Sequence, residues 1–370
     1  MSSPPRRFLF LYALTGGGHL AAAQAVRDAM HARYAAAAHI TLLDIFTASD
    51  LWPFRNFQHW YPKMLQGRGW AWRFFFHATN SPARVQMLTR MALPYVRQPL
   101  QRLLAAHPHQ VLVSFHPIPN AALVQVAGPQ PKAVVVQDFG SASASWFAPG
   151  MDRYFLPDAG SLARAQALGL PANQLQQTGL PVQQAFLQAR QLSPEQARSQ
   201  LGLNPQQPVV LLMGGREGAG NLESFVRALL AHKPAAQIIV LAGNNQQLKQ
   251  TLRHTQARVL NFQQNMATWM RAATLLVTKA GPNTLAEAFI LGLPVILFYA
   301  IPGQETANPD WVVRAGAGLW RPEPQAAAVA VMQLLHDDAQ RAQMAHNART
   351  LAQPQAADTI AQALWAMAEV

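Results

Sequence analysis

Two parts of the chain begin with the same pattern, in which an apolar run is followed by glycines and then by a helical pattern. The first run, Arg7–Leu14, is followed by Thr15-Gly16-Gly17-Gly18-His19 and an alanine-rich stretch. The second, Pro208–Met213, is followed by Gly214-Gly215 and by a helical pattern from Asn221. Strand, glycine turn and helix form the opening unit of a doubly wound domain. The pattern therefore predicts an α/β protein with two Rossmann-like domains.

The remaining apolar runs lie between turn signals and read as further strands. These strands are predicted at His39–Asp44, Gln110–Phe115, Lys132–Gln137, Gln237–Leu241, Ala257–Phe262, Leu275–Thr278 and Pro294–Phe298. Amphipathic spacing predicts helices at Pro324–His336 and Asp338–Gln353. We expect an N-terminal domain over residues 1–182, a second domain over 183–352, and a C-terminal helix over 353–370 that packs on the first domain.

Composition limits the kind of protein and its partners. Half of the 370 residues are hydrophobic and only 12% are charged, which argues against disorder and suits two domains with separate cores. The formal charge of +12 predicts acidic partners, such as anionic lipid, a diphosphate or nucleic acid. The chain has no cysteine, which excludes disulfides and thiolate chemistry.

The N-terminal residues resemble a signal peptide only superficially. A Gly-Gly-Gly-His break separates the apolar run from the small residues that follow, so we expect a strand, a loop and a helix in their place. No uninterrupted apolar run reaches the roughly 18 residues of a membrane span. We expect a soluble or peripheral protein.

The stretch between residues 276 and 308 carries the clearest chemical signal. An apolar run ends at Ala280-Gly281-Pro282, and the helical pattern that follows ends at Gly292-Leu293-Pro294. Free N–H groups of this turn and the positive end of the helix dipole suit a diphosphate. Asn283 and Glu287 share one helix face, where a carboxylate is placed to accept hydrogen bonds from ribose hydroxyls.

The loop after the next strand adds an amide and a carboxylate, Gln304 and Glu305, which are suited to the hydroxyls of a sugar. Together these features predict a nucleotide-sugar pocket. Glycine-proline turns and acids near helix starts are also common in α/β proteins without such a pocket.

Four motifs carry a resemblance to a known family. They are Thr278-Lys279-Ala280-Gly281-Pro282, Ala286-Glu287-Ala288, Gly292-Leu293-Pro294 and Ile301-Pro302-Gly303-Gln304-Glu305. These motifs resemble the donor-binding region of the monogalactosyldiacylglycerol synthase and processive diacylglycerol glucosyltransferase family. They are more distantly similar to the lipid-linked N-acetylglucosaminyl transferase of peptidoglycan synthesis. The resemblance implies the GT-B fold, with two Rossmann-like domains facing across a cleft and a C-terminal helix that returns to the first domain.

The resemblance also implies a set of residues that bind a uridine diphosphate sugar. This donor set is Gly214, Gly215, Arg216, Phe262, Met266, Lys279, Ala280, Gly281, Pro282, Asn283, Thr284, Glu287, Gln304 and Glu305. The segments around Phe262 and Met266 are expected against the nucleobase. Arg216 is expected to contact a phosphate, although an exposed surface arginine is equally compatible with the sequence.

The glycine-rich loop near the N-terminus resembles the acceptor loop of the same family. The resemblance makes His19 the candidate base that takes a proton from the attacking hydroxyl. The alternative is that His19 only packs near the helix start. The family has an aspartate where this chain has Leu14, so an orienting carboxylate must come from elsewhere. Asp138 is the nearest candidate, either to orient His19 or to act as the base itself.

Other residues of the expected acceptor site follow from the same comparison. Gly17, Gly18, His116 and Trp146 are the expected acceptor contacts. His116 is the weaker member because a His-Pro pair at a strand end can serve only to shape a turn.

The segment from Leu51 through Gln137 contains no acidic residue, although nine lysines and arginines recur in it. Cations mixed with aromatic rings suit an anionic membrane interface. We expect membrane contacts from Trp52, Phe54, Arg55, Trp60, Trp70, Trp72 and Arg73. The same composition is compatible with single-stranded nucleic acid, or with aromatic residues that are simply core.

The combined expectation is an inverting glycosyltransferase that moves galactose or glucose from a UDP-sugar to diacylglycerol. No essential cofactor or metal is expected, because no cluster of Asp and Glu suited to a divalent ion is present. A polyprenyl-lipid transferase, a sugar-nucleotide epimerase and a basic non-catalytic membrane- or nucleic-acid-binding module remain alternatives. We expect an anionic membrane surface as partner, no nucleic acid, and a cytoplasmic location on the inner face of the cell membrane.

Overall fold

The computed structural model describes residues 4–15, 17–52, 54–65, 70–215 and 221–369. The chain divides into two compact units. The first unit comprises Met1–Gln183, Pro302–Gln304 and Gln353–Val370, and the second comprises Gln184–Ile301 and Glu305–Ala352.

The first unit is built on a six-stranded parallel sheet with the order β2-β1-β3-β4-β5-β6. Its strands are β1 (Arg6–Tyr12), β2 (Ala38–Asp44), β3 (Val111–Ser114), β4 (Lys132–Val135), β5 (Arg153–Leu156) and β6 (Leu175–Gln177). Its helices are α1 (Gly18–Tyr34), α2 (Ile45–Ala48), α3 (Phe57–Leu65), α4 (Trp70–Ala78), α5 (Pro82–Ala106), α6 (Asn120–Val126) and α7 (Ala159–Ala167). The strand order reverses between β1 and β3, and ligands of doubly wound domains bind at such a switch point.

The second unit also contains a six-stranded parallel sheet, with the order β12-β11-β10-β7-β8-β9. Its strands are β7 (Val209–Met213), β8 (Gln237–Gly243), β9 (Arg258–Asn261), β10 (Leu275–Lys279), β11 (Val295–Tyr299) and β12 (Gly318–Trp320). Its helices are α8 (Gln184–Ala189), α9 (Pro194–Gln200), α10 (Leu222–Ala231), α11 (Gln246–Leu252), α12 (Met266–Ala272), α13 (Pro282–Leu291), α14 (Asn308–Arg314), α15 (Pro324–His336) and α16 (Asp338–Leu351). This order is that of a dinucleotide-binding Rossmann sheet, with its switch point between β7 and β10.

The last helix, α17 (Ala356–Met367), packs within the first unit. Its apolar face, which includes Ile360 and Leu364, joins the core formed by the sheet and α1. Trp365 stacks on Tyr34 with ring centroids 4.0 Å apart, and the Arg6 guanidinium lies 4.1 Å from the centroid of the same indole. The predicted α/β fold class and the return of the C-terminal helix are therefore confirmed.

A buried arginine holds one end of the second unit together. Arg198 on α9 donates to the carbonyl oxygens of Ala272 and Pro205 at 2.9 Å each, and to Oγ1 of Thr274 at 3.0 Å. Its side chain is buried, and burial lowers the pKa of the guanidinium. Three hydrogen bonds from a charged donor therefore replace its lost hydration.

The longest helix was not predicted from the sequence. Helix α5 continues through Pro94 and Pro99, although proline removes a helical hydrogen bond and usually ends a helix. Burial of Val96, Leu100 and Leu103 on one side of α5 offsets that cost. The short strands β5, β6 and β12 were also not predicted.

Candidate active site

The second unit places two glycine turns side by side at its switch point. Gly215 follows β7 with a φ of 76°, a left-handed value that favours glycine. A Cβ atom at Gly215 would lie 3.2 Å from Cε of Lys279, and one at Gly281 would lie 2.7 Å from its Nζ. Both positions therefore leave room for the Lys279 side chain to lie against the backbone.

Lys279 is held by a buried acid. Its ammonium group pairs with Oε1 of Glu305, while Oε2 of Glu305 accepts from the backbone N–H of Ile301 at 2.9 Å. Asn308 supports the same turn by donating to the carbonyl oxygen of Ala280 at 2.8 Å. Glu305 is only 1% exposed, and its carboxylate positions Lys279. The expected contact of Glu305 with sugar hydroxyls stays a prediction.

The free N–H groups lie one step later in the chain than the sequence suggested. The N–H groups of Ala280 and Gly281 are already bonded to the carbonyl oxygens of Tyr299 and Lys279, and Pro282 at the first helical position has none. Within the described residues, no acceptor bonds the N–H groups of Asn283 and Thr284. These two groups and the Lys279 ammonium form a positive surface at the start of α13.

Glu287 lies one helical turn beyond Asn283 on the same face of α13. Burial raises the pKa of its carboxyl to about 8. None of the described residues pairs with it in a salt bridge or a side-chain hydrogen bond. A desolvated carboxyl group without a partner is typical of a binding site, where the missing partner is a ligand.

The remaining residues of the expected donor set differ in how far they are buried. Met266 begins α12 and is half-buried, whereas Phe262 follows β9 and is exposed. Gly214 is buried at the end of β7. Arg216 lies outside the described residues. We name the group formed by Gly215, Lys279, Gly281–Thr284 and Glu287 the donor half-site.

The first unit gathers two histidines at its own switch point. His19 lies in the first turn of α1, after Gly17 with a left-handed φ of 92°, and after Gly18, which begins the helix. His116 follows β3, and its ring meets that of His19 edge to face with centroids 4.7 Å apart. Burial lowers the pKa of His19 to about 4, and burial followed by the neighbouring His19 lowers that of His116. Both rings are therefore neutral at pH 7.

Asp138 does not supply a partner for the buried ring nitrogen of His19. One carboxylate oxygen accepts from the indole N–H of Trp146 at 2.7 Å, and the other accepts from the amide of Gln304 at 3.0 Å. Nδ1 of His19 has no hydrogen-bond partner in the described part of the chain. Trp146 is fully buried and supports Asp138 through its indole N–H, and its expected contact with the acceptor stays a prediction.

Gln304 was expected to bind the donor sugar, and its polar groups are partly occupied within the first unit. Its amide nitrogen donates to Asp138, and its backbone oxygen accepts from the Ser141 hydroxyl at 2.5 Å. We name the group formed by Gly17, Gly18, His19, His116 and Asp138 the acceptor half-site.

The predicted membrane residues separate into exposed and buried groups. Trp52 is 62% exposed and Arg73 is also exposed, whereas Trp60 is half-buried. Arg55 is exposed and forms a salt bridge with Asp50. Trp72 is buried against Tyr61, so its assignment to a membrane surface is wrong.

Two further aromatic residues complete that comparison. Phe54 stacks on Phe46 with ring centroids 5.7 Å apart, so it contributes to packing. The side chain of Trp70 lies outside the described part of the structure. The alternative of core packing therefore holds for some of the aromatic residues.

An exposed apolar stripe on α5 was missed. Met87, Met91 and Tyr95 follow one another at intervals of four residues and are 54%, 73% and 53% exposed. Tyr95 donates its hydroxyl to the carbonyl oxygen of Trp52, which joins the stripe to that exposed indole. The four-residue spacing in an acid-free segment was the available signal, but the internal prolines of α5 obscured it. We name these four residues the apolar stripe.

Comparison with known proteins identifies the class. The structure is similar to the UDP-GlcNAc 2-epimerase of Neisseria meningitidis, solved with UDP-GlcNAc, with a TM-score of 0.65, 13% identity and coverage of 97% of this chain and 100% of the other. It is also similar to MurG of Acinetobacter baumannii, with a TM-score of 0.56, 16% identity and coverage of 98% and 100%. Two Rossmann-like units with these neighbours define a GT-B fold.

Sequence comparison identifies the family. The family model for monogalactosyldiacylglycerol (MGDG) synthase matches residues 19–182, and that for the glycosyltransferase family 28 C-terminal domain matches residues 209–363. The probable monogalactosyldiacylglycerol synthase 2, chloroplastic, of Oryza sativa subsp. japonica is 34% identical over 95% of this chain and 78% of its own length. The chain belongs to the monogalactosyldiacylglycerol synthase family of glycosyltransferases. The predicted family is confirmed.

These comparisons also correct one expectation. The predicted location on the inner face of a cell membrane is wrong, because the curated relatives are chloroplastic enzymes. In the regions that the structure describes, every helix is too short or too polar to cross a membrane.

Proposed function

We propose that the protein transfers a hexose from a UDP-sugar to the free hydroxyl of diacylglycerol, with inversion at the anomeric carbon. The names of the curated relatives favour galactose over glucose as the hexose. The observation that carries the donor part is the placement of Lys279, the first-turn N–H groups of α13 and Glu287 at one Rossmann switch point.

Each member of the donor half-site has a separate role in the proposal. Lys279 and the N–H groups of Asn283 and Thr284 stabilise the diphosphate as it leaves. Glu287 accepts hydrogen bonds from the ribose hydroxyls, which supplies the partner that its carboxyl group lacks among the described residues. Phe262 and Met266 lie beside the nucleobase. Glu305 keeps the Lys279 ammonium in place.

The acceptor half-site supplies the base. The acceptor oxygen forms a bond to the anomeric carbon while the bond from that carbon to the diphosphate breaks, and the hydroxyl proton passes to His19. Burial holds the pKa of His19 near 4, so its imidazole is unprotonated at pH 7 and has a lone pair free for that proton. His116 packs against His19 and fixes the direction of its ring.

The proposal includes a membrane surface as the source of the acceptor. The apolar stripe would enter the lipid headgroup layer, and the exposed Arg73 and Arg90 would face anionic lipids, with each cation near the surface adding roughly 1 kcal/mol. Catalysis without an essential metal is also part of the proposal. The leaving diphosphate is then balanced by Lys279 and helix α13.

A transfer assay tests the proposal. Radiolabelled UDP-galactose and UDP-glucose would be offered separately with diacylglycerol in anionic vesicles, with and without a chelator. We expect monoglycosylated diacylglycerol from UDP-galactose at a rate that the chelator does not change. Absence of product from both donors, with UDP binding intact, would refute the acceptor. Loss of activity with the chelator would refute catalysis without a metal.

A further inference from the structure

The first unit contains an apolar cavity of about 270 Å³. It lies among α2, α5, α6 and the end of α4. Its walls include Ile45, Phe46, Phe75, Leu88, Ala92 and Ala122. For comparison, an engineered cavity of about 150 Å³ stays dry and binds benzene. The volume therefore suits a single aliphatic chain segment.

Two hydroxyl groups at the wall already donate to backbone carbonyl oxygens. Oγ1 of Thr79 donates to the carbonyl oxygen of Phe75 at 3.0 Å, and Oγ of Ser145 donates to that of Thr79 at 2.9 Å. An occupant with polar groups would lose their hydration and find few replacement partners among the mainly apolar side chains of the wall. The cavity consequently selects an apolar chain.

The inner end of the cavity borders the acceptor half-site. The ring of Phe46, which lines the cavity, meets His116 edge to face with centroids 5.6 Å apart. Ile118, another wall residue, donates its backbone N–H to Nδ1 of His116 at 3.4 Å. His116 in turn contacts His19. A chain in the cavity therefore ends close to the candidate base.

The outer end of the cavity borders the apolar stripe. Leu88 lines the cavity and is 40% exposed. It adjoins Met87 on α5, and Met91 and Tyr95 follow on the same helix. An apolar chain can therefore enter at Leu88 from a lipid layer in contact with the stripe.

We propose that this cavity binds one acyl chain of the acceptor lipid and so sets the depth at which its hydroxyl meets His19. The inference rests on the proposed function for the identity of the acceptor, although binding of an apolar chain can be tested without transfer.

The first test places a phenyl ring in the cavity by substituting a residue of its wall. Ala92 on α5 lines the cavity, whereas Ala105 on the same helix is exposed and does not. Ala92→Phe and the matched control Ala105→Phe would be assayed with diacylglycerols of increasing chain length in the same vesicles. We expect Ala92→Phe to lower kcat/KM for dioleoylglycerol roughly tenfold or more, with a smaller loss for dihexanoylglycerol and with the Kd of UDP unchanged. Identical chain-length profiles in both variants would overturn the proposal.

A binding measurement separates this inference from the proposed function. A dansylated undecanoic acid would be titrated into the wild-type protein, Ala92→Phe and the milder Ala122→Leu. Weaker probe binding in both cavity variants, with displacement of the probe from the wild type by dioctanoylglycerol, would support the site even if no hexose were transferred. Displacement by free oleate but not by dioctanoylglycerol would overturn the assignment to the acceptor. Equal probe binding in all three proteins would overturn the cavity site itself.

Discussion

Replacing Glu287 by glutamine changes one charge in the donor half-site and leaves its volume nearly unchanged. The side chain is half-buried and has no cationic partner among the residues that the structure describes, and desolvation raises its pKa from 4.5 to about 8. If Glu287 binds ribose hydroxyls, the same substitution must stabilise the empty protein and weaken UDP binding. These opposite effects distinguish a ligand-binding acid from a structural one.

The size and sign of the effect on the free energy of unfolding follow from the shift in the pKa of Glu287. A pKa that moves from 4.5 to about 8 corresponds to roughly 5 kcal/mol, at about 1.36 kcal/mol for each unit. Because solvent reaches part of the half-buried side chain, we expect roughly 1–3 kcal/mol. The folded protein holds this proton more tightly than the unfolded chain does. The stability from Glu287 is therefore complete below pH 4.5 and is lost as the pH rises through about 8.

The first assay is urea unfolding of the wild type and Glu287→Gln between pH 5 and pH 8.5. The variant should gain stability relative to the wild type as the pH rises. Glu323→Gln is the control, because Glu323 is exposed and its side chain does not cap α15. The control should follow the wild type within about 0.5 kcal/mol.

The second assay is calorimetric titration of UDP at pH 7 in buffers of different ionisation enthalpy. Hydrogen bonds from ribose hydroxyls favour the charged carboxylate, so UDP binding should release up to about one proton from the wild type. Glu287→Gln should release none from this site and should bind UDP roughly 10- to 100-fold more weakly. Wild-type affinity in the variant, with no proton release in the wild type, would refute the role of Glu287.

Three further substitutions test separate parts of the structure. His19→Ala should lower kcat roughly 10²- to 10⁴-fold in the transfer assay while the Kd of UDP stays constant, and unchanged kcat would remove His19 as the base. Arg198→Met should lower the free energy of unfolding by roughly 2–4 kcal/mol in urea, because the carbonyl oxygens of Ala272 and Pro205 lose a charged donor; an effect below about 0.5 kcal/mol would contradict this. Met91→Asp should weaken flotation with anionic vesicles at least fivefold relative to Ala105→Asp, and equal flotation would remove the apolar stripe from the membrane contact.

Much of the fold could be read from local patterns. All nine predicted strands correspond to observed strands within a few residues, including β1, β7 and β10, because buried parallel strands are short apolar runs between turns. Strands β5, β6 and β12 contain only three or four residues and lie outside the apolar runs that were read as strands. Helix α5 was missed because its stability comes from burial, which two internal prolines conceal.

For the candidate site, too, the sequence predicted some features and not others. The glycines, His19, Lys279 and Glu287 could be selected from the sequence, because motifs show residue type and spacing. The positions of these residues relative to one another in space could not be predicted from the sequence. They depend on the pairing of β7 with β10 and of β1 with β3, which joins segments far apart in the chain.

The sequence by itself determined the fold class, the family, the positive charge and the residues most suited to nucleotide-sugar chemistry. Only the tertiary structure decided that Glu305 pairs with Lys279, and that Trp146 and Gln304 donate hydrogen bonds to the carboxylate of Asp138. It also decided that Trp72 is buried while the apolar stripe is exposed. The physical reason is that side-chain burial and pairing are set by contacts between residues far apart in the chain, such as Asp138 and Gln304, and no local period encodes them.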